Sequence, residues 1–178
     1  MAGWAVKRDV DRAQWAFSPL VSVGPLRFGM SPGEVGAALD GASASVSHGM
    51  RGGALLGSGA GGRAQRFTEV GVTTFYTESA CLAGVAVDAR TGPQVRVGET
   101  ALVGGVPSEI ERWLSEHARA HGLELAYTHE GNPKVVDLGL VMRVHRAGDV
   151  VLSRPLFLIR EWAVDIWESL PGFELGTF

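Results

Sequence analysis

The chain has 178 residues, 46% of them hydrophobic and 20% charged, with a formal net charge of −3. This length accommodates one well-buried domain, and the composition is that of a globular rather than a disordered protein. The charge provides no basic field for a nucleic-acid backbone, and no apolar run reaches the roughly 20 residues that span a bilayer, so we predict neither nucleic acid nor membrane as a partner.

The usage of cysteine, lysine and arginine indicates the cellular compartment of the protein and the base composition of its genome. The N-terminal residues lack the apolar core of a signal peptide, and the single Cys81 cannot form an internal disulfide, which agrees with a reducing compartment. Nearly all the cations are arginines, since Lys7 and Lys134 are the two lysines. With abundant alanine and glycine, this bias is typical of a GC-rich, actinobacterial genome. We therefore predict a cytoplasmic protein.

The first helix is predicted from the segment GPLRFGMSPGEVGAAL at 24–39; residues 1–23 fit a short helix or an interrupted strand equally well. Ser31 is placed as the N-cap, with Pro32 at the first helical position. Glu34 stands three residues after the cap, which is the spacing of a capping box. The segment therefore predicts a loop that leads into a short helix.

Strands are predicted after this helix. Residues 42–65 are small and glycine-dense, which predicts a long flexible loop. Three strand-like runs follow at 66–77, 81–89 and 93–99, and the short breaks between them fit hairpin turns. Three antiparallel strands after a helix is the simplest interpretation.

The pattern then recurs along the chain. Five residues of a second helix start stand 75 positions after their counterparts in the first: Gly104, Pro107, Glu109, Ile110 and Leu114 after Gly29, Pro32, Glu34, Val35 and Leu39. This second helix is predicted to have its cap at Ser108 and to end at Gly122. Strands are predicted at 123–128, 135–146 and 150–162. An internal duplication explains the match, but the same residue pattern also describes many unrelated helix starts.

The predicted fold class is α+β. We expect a single domain over residues 1–178, with an antiparallel sheet of about six strands and the helices on one face. If the duplication holds, the fold is a tandem α-β-β-β repeat with pseudo-repeats at 24–99 and 100–162, followed by an aromatic tail at 163–178. The other face of the sheet would then be exposed to solvent or covered by a partner.

Three motifs resemble reactive or ligand-binding sites, and each has a simpler explanation. The stretch GSGAGG at 57–62 has the spacing of a dinucleotide-binding loop, but no buried strand leads into it and no helix follows, which favours a plain loop. His117 and His121 stand one helical turn apart, as metal ligands can, yet both rings can pack at the margin of the apolar stripe. Cys81 has no base beside it in the sequence, which favours a buried structural thiol. We therefore predict no catalytic residue, no metal and no cofactor.

Candidate partner-binding residues lie in the last predicted hairpin and just after it. They are four basic residues and two tryptophans: Arg143, His145, Arg154, Arg160, Trp162 and Trp167. The basic residues can align on one sheet face, because the two strands of a hairpin place alternate residues together. Such a face is either a solvated surface or a recognition surface for an acidic partner. The tryptophans are either core or interface residues.

The stretch PLRFGMSPGEVGAAL, with its weaker copy at 104–114, resembles the helix entry of several small bacterial domains. The matching residues are Gly29, Met30, Ser31, Glu34, Val35 and Leu39. The families are the outer-membrane assembly lipoproteins of the BamE/SmpA type, the tandem-repeat β-lactamase-inhibitory proteins and presumed immunity proteins of bacterial toxin systems. The chain differs from the secreted members in having no signal peptide, lipobox cysteine or paired cysteines. The resemblance implies a helix followed by a strand meander, and it carries over no functional residue.

The sequence therefore predicts a non-enzymatic protein-binding module of immunity or inhibitor type, which uses an exposed sheet face and loops. The alternative is a small enzyme or small-molecule-binding domain with a pocket beneath the glycine-rich 42–65 loop. A closed polar pocket that contains His48, His145 or paired acids would favour the alternative, whereas a flat or shallowly concave sheet face with apolar and polar residues would favour protein binding.

Overall fold

The computed structural model describes residues 4–50, 61–171 and 174, without the side chains of 47–50, 61–62 and 167–168. Within this part of the chain the helices are α1 (Pro32–Ala38), α2 (Pro107–Ala120), α3 (Arg160–Val164) and α4 (Ile166–Ser169), with 3₁₀ turns at Asp9–Asp11 and Val136–Leu138. The strands are β1 (Gln14–Ser18), β2 (Ser22–Val23), β3 (Leu26–Arg27), β4 (Ser45–Met50), β5 (Gly61–Phe67), β6 (Val72–Tyr76), β7 (Leu82–Val87), β8 (Gln94–Val97), β9 (Thr100–Ala101), β10 (Ala126–Tyr127), β11 (Pro133–Val135), β12 (Leu140–Ala147) and β13 (Val150–Leu158). They form a small sheet in the order β3-β2-β1-β8-β9 and a large sheet in the order β10-β11-β12-β13-β7-β6-β5-β4.

Helix α1 begins as its sequence predicts. Ser31 is the N-cap: its Oγ accepts the backbone N–H of Glu34 at 3.3 Å, and its own backbone N–H donates to the Glu34 carboxylate at 2.7 Å. Both halves of the capping box are therefore present, with Pro32 at the start of the helix. The chain leaves α1 through two residues with positive φ, Asp40 at 54° and Gly41 at 72°.

Helix α2 differs from its prediction at the start. Its N-cap is Val106, and no side chain caps it, so the predicted cap at Ser108 is wrong. The reason is that Pro107 takes the first helical position and places Ser108 inside the first turn. The other end is as predicted, because the chain leaves the helix through Gly122 with φ at 65°.

Three predictions in the first half of the chain need correction. Segment 42–65 is not a single loop, because β4 and most of β5 lie within it and pair antiparallel; residues 51–60 between them lie outside the described residues. The predicted strand 66–77 is two strands, since the chain turns between β5 and β6 at Gly71, where φ is 76°. The predicted strand at 93–99 contains β8, which pairs in parallel with β1 in the small sheet instead of extending the meander.

The large sheet repeats one order of elements. Helix α1 is followed by β4 to β7 and α2 by β10 to β13, and each set of four strands is an antiparallel meander. The two sets meet at the centre, where Ala86 of β7 pairs with Leu156 of β13. The α+β class is confirmed, with eight strands in the large sheet against the approximately six expected. Duplication of the sequence itself stays a prediction.

Helices pack on both faces of the large sheet. On the first face, α1, α2 and the small sheet enclose a core that includes Val35, Leu114 and Phe157. On the second face, α3 and α4 contribute to a core in which Trp162 packs with Leu156 of the sheet. Full burial of each such side chain contributes about 1.5–3 kcal/mol. The chain's own C-terminal segment therefore covers part of the face that the sequence left open to solvent or a partner.

Candidate functional site

The predicted basic residues occupy different environments. Arg143 and Arg154 lie directly opposite each other on β12 and β13, on the second face of the large sheet, and both are buried. His145 lies two residues further along β12 on the same face and is half-buried. Arg160 is exposed at the start of α3, where its guanidinium pairs with the Asp137 carboxylate at 2.5 Å. The structure thus brings three of the four residues to one face.

Of the two predicted tryptophans, the structure describes the side chain of Trp162. Trp162 is 7% exposed and belongs to the core beneath α3. The side chain of Trp167 lies outside the described residues, as does that of His48. Partner binding by the predicted set stays a prediction, and His145 and Arg160 are the members whose side chains reach solvent in the described part of the chain.

A buried carboxylate lies between the two opposed arginines. Arg143 donates through Nη1 to the backbone oxygen of Glu174 and, at 3.2 Å, to its carboxylate. Arg154 donates to both oxygens of the same carboxylate, with Nη2 at 3.2 Å from Oε2. Glu174 is 3% exposed. We call these three residues the carboxylate clamp; its one negative charge offsets part of the positive charge of the two guanidiniums and ties the C-terminal segment to the sheet.

The electrostatics of the clamp follow from its burial. Loss of water around the Arg143 guanidinium lowers its pKa, the Glu174 carboxylate counteracts this effect, and the Arg154 charge adds to it. A guanidinium is so strongly basic that Arg143 stays protonated at neutral pH in spite of this lowering of its pKa. The cations of the clamp are therefore already matched by an acceptor from the same chain.

A polar cavity of about 300 Å³ lies beyond the clamp on the same face. We call it the arginine pocket; the side chains that matter for its chemistry are Arg66, Thr73, Asp88, Arg90, His145 and Arg154. The sheet register brings them together, because β6 pairs with both β5 and β7, and β7 pairs with β13. The pocket contains His145, which is one of the residues expected of the small-molecule alternative. Its first described lining residue is Arg66, directly after segment 42–65, of which residues 51–60 lie outside the described residues.

Asp88 supplies a fixed negative charge to this pocket. Its Oδ1 accepts three hydrogen bonds, from the backbone N–H groups of Arg90 at 2.9 Å and Thr91 at 2.8 Å and from the Thr91 hydroxyl at 2.9 Å. Burial by itself raises the pKa of the Asp88 carboxyl, but these hydrogen bonds, aided by His145, together lower it below its usual value. Asp88 is therefore ionised at neutral pH.

His145 is the titratable base of the pocket. Burial lowers the pKa of its imidazole below the usual 6.5, Asp88 opposes this shift, and the charges of Arg154 and Arg90 reinforce it. The imidazole is consequently neutral at pH 7 and presents one donor and one acceptor nitrogen. This arrangement suits binding of a polar group.

Two guanidiniums of the pocket have unused hydrogen-bonding capacity. Arg66 is exposed and Arg90 is half-buried, and neither side chain donates to an acceptor within residues 4–50, 61–171 and 174. The Nε atom of Arg90 is buried without a hydrogen-bond partner. Arg154 differs, because its donors already meet Glu174. Among the described residues, Arg66 and Arg90 are thus the cations of the pocket whose side chains have no hydrogen-bond acceptor.

Arg12 holds the turn that carries Asp88 and Arg90. It is 5% exposed, and its guanidinium donates to the backbone oxygens of Gly92 at 2.7 Å and Ala89 at 2.8 Å. Longer bonds reach the carbonyl oxygens of Lys7 and Arg90, both at 3.2 Å. A buried arginine satisfied by backbone carbonyls fixes the geometry of this turn and therefore one wall of the pocket.

An exposed tryptophan borders the pocket. Trp4 is 63% exposed, and the Arg90 guanidinium lies 5.7 Å from its ring centroid. Its ring also reaches the β12–β13 turn, since a Cβ on Gly148 would lie 3.8 Å from Trp4 Cγ. Val150 in the same turn region is 55% exposed. We call Trp4, Arg90, Gly148 and Val150 the tryptophan rim.

A larger cavity elsewhere is a weaker candidate. It measures about 420 Å³ and is bordered by Tyr127, His129, Lys134 and Asp165. Its cation is already in use, because Lys134 Nζ donates to the backbone oxygens of Ala163 at 3.0 Å and Val164 at 2.9 Å. The arginine pocket therefore has the stronger claim as a binding site.

The motifs weighed from the sequence add no further site. The His117 and His121 rings lie 4.2 Å apart, but no group of three or more metal-ligating residues occurs in the described part of the chain. Gly57 and Gly59 of the glycine motif lie outside the described residues. Cys81 is half-buried rather than buried, so that detail of its prediction is wrong.

Comparison with known proteins gives no relative. No protein-family model matches the chain, and no curated protein or solved structure matches it. Among the described residues, no helix combines the length and apolar character needed to cross a membrane. The fold and its surface are therefore the basis for any functional conclusion.

Proposed function

We propose that the chain is a non-enzymatic protein-binding module of immunity or inhibitor type, and that it binds an acidic partner at the part of the second sheet face that the described residues leave open. The observation that carries the proposal is Trp4, a tryptophan 63% exposed beside a guanidinium without an acceptor. Tryptophan and arginine are the residues most enriched at the energetic centre of protein interfaces.

The tryptophan rim has enough exposed apolar area to contribute substantially to the free energy of binding a partner. A tryptophan side chain buries about 150–250 Å² when fully covered, and apolar burial contributes about 25 cal/mol per Å². Covering the exposed 63% of Trp4 would then contribute roughly 3 kcal/mol. The neighbouring Val150 extends the apolar area around it.

Charge decides the kind of partner. Arg66 and Arg90 bring two cations without acceptors to one surface, and guanidiniums pair bidentately with carboxylates. The whole chain has a net charge of −3, which favours a protein over a nucleic acid as the partner. The immunity or inhibitor class rests on the resemblance of residues 25–39, and the cytoplasmic location rests on the single Cys81.

The test is capture of a partner by the purified chain, with variants that separate the rim from the rest of the surface. Trp4→Ala removes the central aromatic, and Tyr127→Ala is the matched control, since Tyr127 is also exposed (52%) but lies on β10 at one edge of the large sheet. We expect a stoichiometric, acidic protein to be retained by the wild type and by Tyr127→Ala. Trp4→Ala should weaken its binding on the order of 100-fold, which corresponds to the roughly 3 kcal/mol of apolar burial.

The salt dependence of the captured complex gives a second readout. Binding to Arg66 and Arg90 through carboxylates should weaken as ionic strength rises. A partner retained equally by wild type and Trp4→Ala, or an affinity independent of salt, would contradict the proposal.

A further inference from the structure

We propose that the arginine pocket is also a binding site for a small oxyanion that carries a hydroxyl group, such as a hydroxy acid or a phosphorylated polyol. This goes beyond binding of a protein partner, because the ligand would enter the cavity itself; there it would use Arg66 and Arg90, the same guanidiniums that are proposed to pair with the partner's carboxylates. The inference draws on three features of the cavity: its cations, its one anion and its size.

The cations require an anionic ligand group. Arg66 and Arg90 both line the cavity, and neither side chain has an acceptor among the described residues. A guanidinium that is partly removed from water favours a charged acceptor, because charge-assisted hydrogen bonds are about twice as strong as neutral ones. Phosphate and carboxylate groups share the geometry that such donors recognise.

The Asp88 carboxylate in the wall of the cavity requires that the ligand also carry a hydrogen-bond donor. All three hydrogen bonds to Asp88 end on Oδ1, and Oδ2 accepts none from the described residues. An oxyanion without a donor group, placed between the guanidiniums, would be repelled by this carboxylate. A ligand hydroxyl that donates to Oδ2 removes the conflict, and the neutral His145 imidazole offers a further polar partner.

The size restricts the ligand to a small molecule. The cavity volume is about 300 Å³, at the lower end of the range of about 300–1,000 Å³ that is usual for ligand pockets. Arg154 closes one side and is held by Glu174, so the wall on that side is pre-formed. Such a cavity accommodates a molecule of a few carbon atoms with one or two oxyanion groups.

The experiment is isothermal titration calorimetry of the full chain at constant ionic strength with malate, succinate and glycerol 3-phosphate. Malate and succinate differ by one hydroxyl, so the pair reports the contribution of Asp88. Binding of malate assigns carboxylate recognition, and binding of glycerol 3-phosphate assigns phosphate recognition. Either one supports the proposal, whereas the absence of saturable binding of both up to about 10 mM overturns it.

Variants locate the site. Arg66→Gln and Arg90→Gln should each weaken binding at least about tenfold, because each removes a charged donor. Arg63→Gln is the matched control: it makes the same change on β5, but three residues away and therefore on the opposite face of the strand. Asp88→Asn keeps the Oδ1 acceptor and should abolish the preference for malate over succinate. Equal weakening by Arg63→Gln, or an unchanged preference in Asp88→Asn, overturns the assignment.

This test is separable from that of the proposed function. Trp4→Ala leaves the cavity lining intact, so it should bind malate or glycerol 3-phosphate like the wild type even where it has lost the protein partner. Circular dichroism and thermal unfolding of each variant establish that the fold is retained. Arg66 is exposed, so its replacement leaves the core unchanged.

Discussion

Replacement of Glu174 by glutamine tests whether the C-terminal segment is fixed to the second sheet face. The Glu174 side chain is 3% exposed, and it accepts hydrogen bonds from Arg143 and Arg154, which are 6% and 7% exposed. Glutamine keeps the shape of the side chain and one acceptor oxygen, but it removes the charge. The two opposed guanidiniums would then repel each other without the carboxylate that lies between them.

The magnitude follows from the burial of all three groups. Removing one partner from a buried ion pair costs about 3–5 kcal/mol, because the remaining charge is uncompensated and out of water. Since glutamine retains one acceptor, we expect the lower end of this range, about 3 kcal/mol. In a chain of 178 residues each kcal/mol shifts Tm by roughly 2–4 °C, so Tm should fall by about 6–12 °C.

Urea denaturation followed by tryptophan fluorescence measures the free energy of unfolding. Asp137→Asn is the control, since it makes the same chemical change in the Arg160–Asp137 pair, whose side chains are 56% and 40% exposed. That exposed pair should contribute no more than about 0.5 kcal/mol. If Glu174→Gln loses as little stability as Asp137→Asn, the clamp does not hold the C-terminal segment and the reasoning fails.

Three further predictions follow from the local geometry. Ser31→Ala should cost about 1 kcal/mol of unfolding free energy, because it removes the cap of α1. Ser108→Ala removes no cap and should cost almost nothing. Equal losses of stability in the two variants would contradict the assigned caps. Because burial lowers the pKa of His145 below 6.5, the unfolded chain binds a proton at a higher pH than the folded chain does, and stability is lost as pH falls below about 6.5. His145→Gln should therefore flatten the pH dependence of the denaturation midpoint between about pH 7 and 5. An unchanged pH dependence in this variant would refute the assignment. Gly139→Ala should cost at least about 2 kcal/mol of unfolding free energy, because φ is 62° and a Cβ would lie 2.1 Å from a backbone carbonyl oxygen. Gly131→Ala, where φ is 83° but the space is open, should cost about 1 kcal/mol from backbone strain alone. Chemical denaturation measures both costs, and equal values would argue against a steric conflict at Gly139.

The elements that could be predicted from the sequence are those specified by neighbouring residues. The capping box at Ser31 and Glu34 lies within one helical turn, so the residue types alone specify it. The stop at Gly122 is equally local. The turn at Gly71 shows the limit: it lies inside a run whose alternation resembles one long strand, and no proline or paired turn residue marks it.

The site depends on contacts that are distant in the sequence. Arg66, Asp88 and His145 come together only through the order and register of the strands, which composition and periodicity do not specify. The clamp is a similar case, since Glu174 lies 31 residues from Arg143 in a segment with no strong signal of its own. The alternation of residues along the strands predicts that Arg143 and Arg154 share one sheet face, as the structure shows. The sequence pattern does not predict that Glu174 pairs with both of them in a buried site.

The contrast between the two pairs of arginines is the strongest argument for where the function lies. Arg143 and Arg154 face a carboxylate from their own chain, so their charges are explained by folding alone. Arg66 and Arg90 lie on the same sheet face without acceptors among the described residues. A half-buried guanidinium without an acceptor, such as that of Arg90, costs free energy that folding does not recover, as does the solvent exposure of a tryptophan beside it. Both costs are recovered when an anionic group enters the pocket and a partner covers the rim, which is the behaviour expected of a binding surface and not of a solvated one.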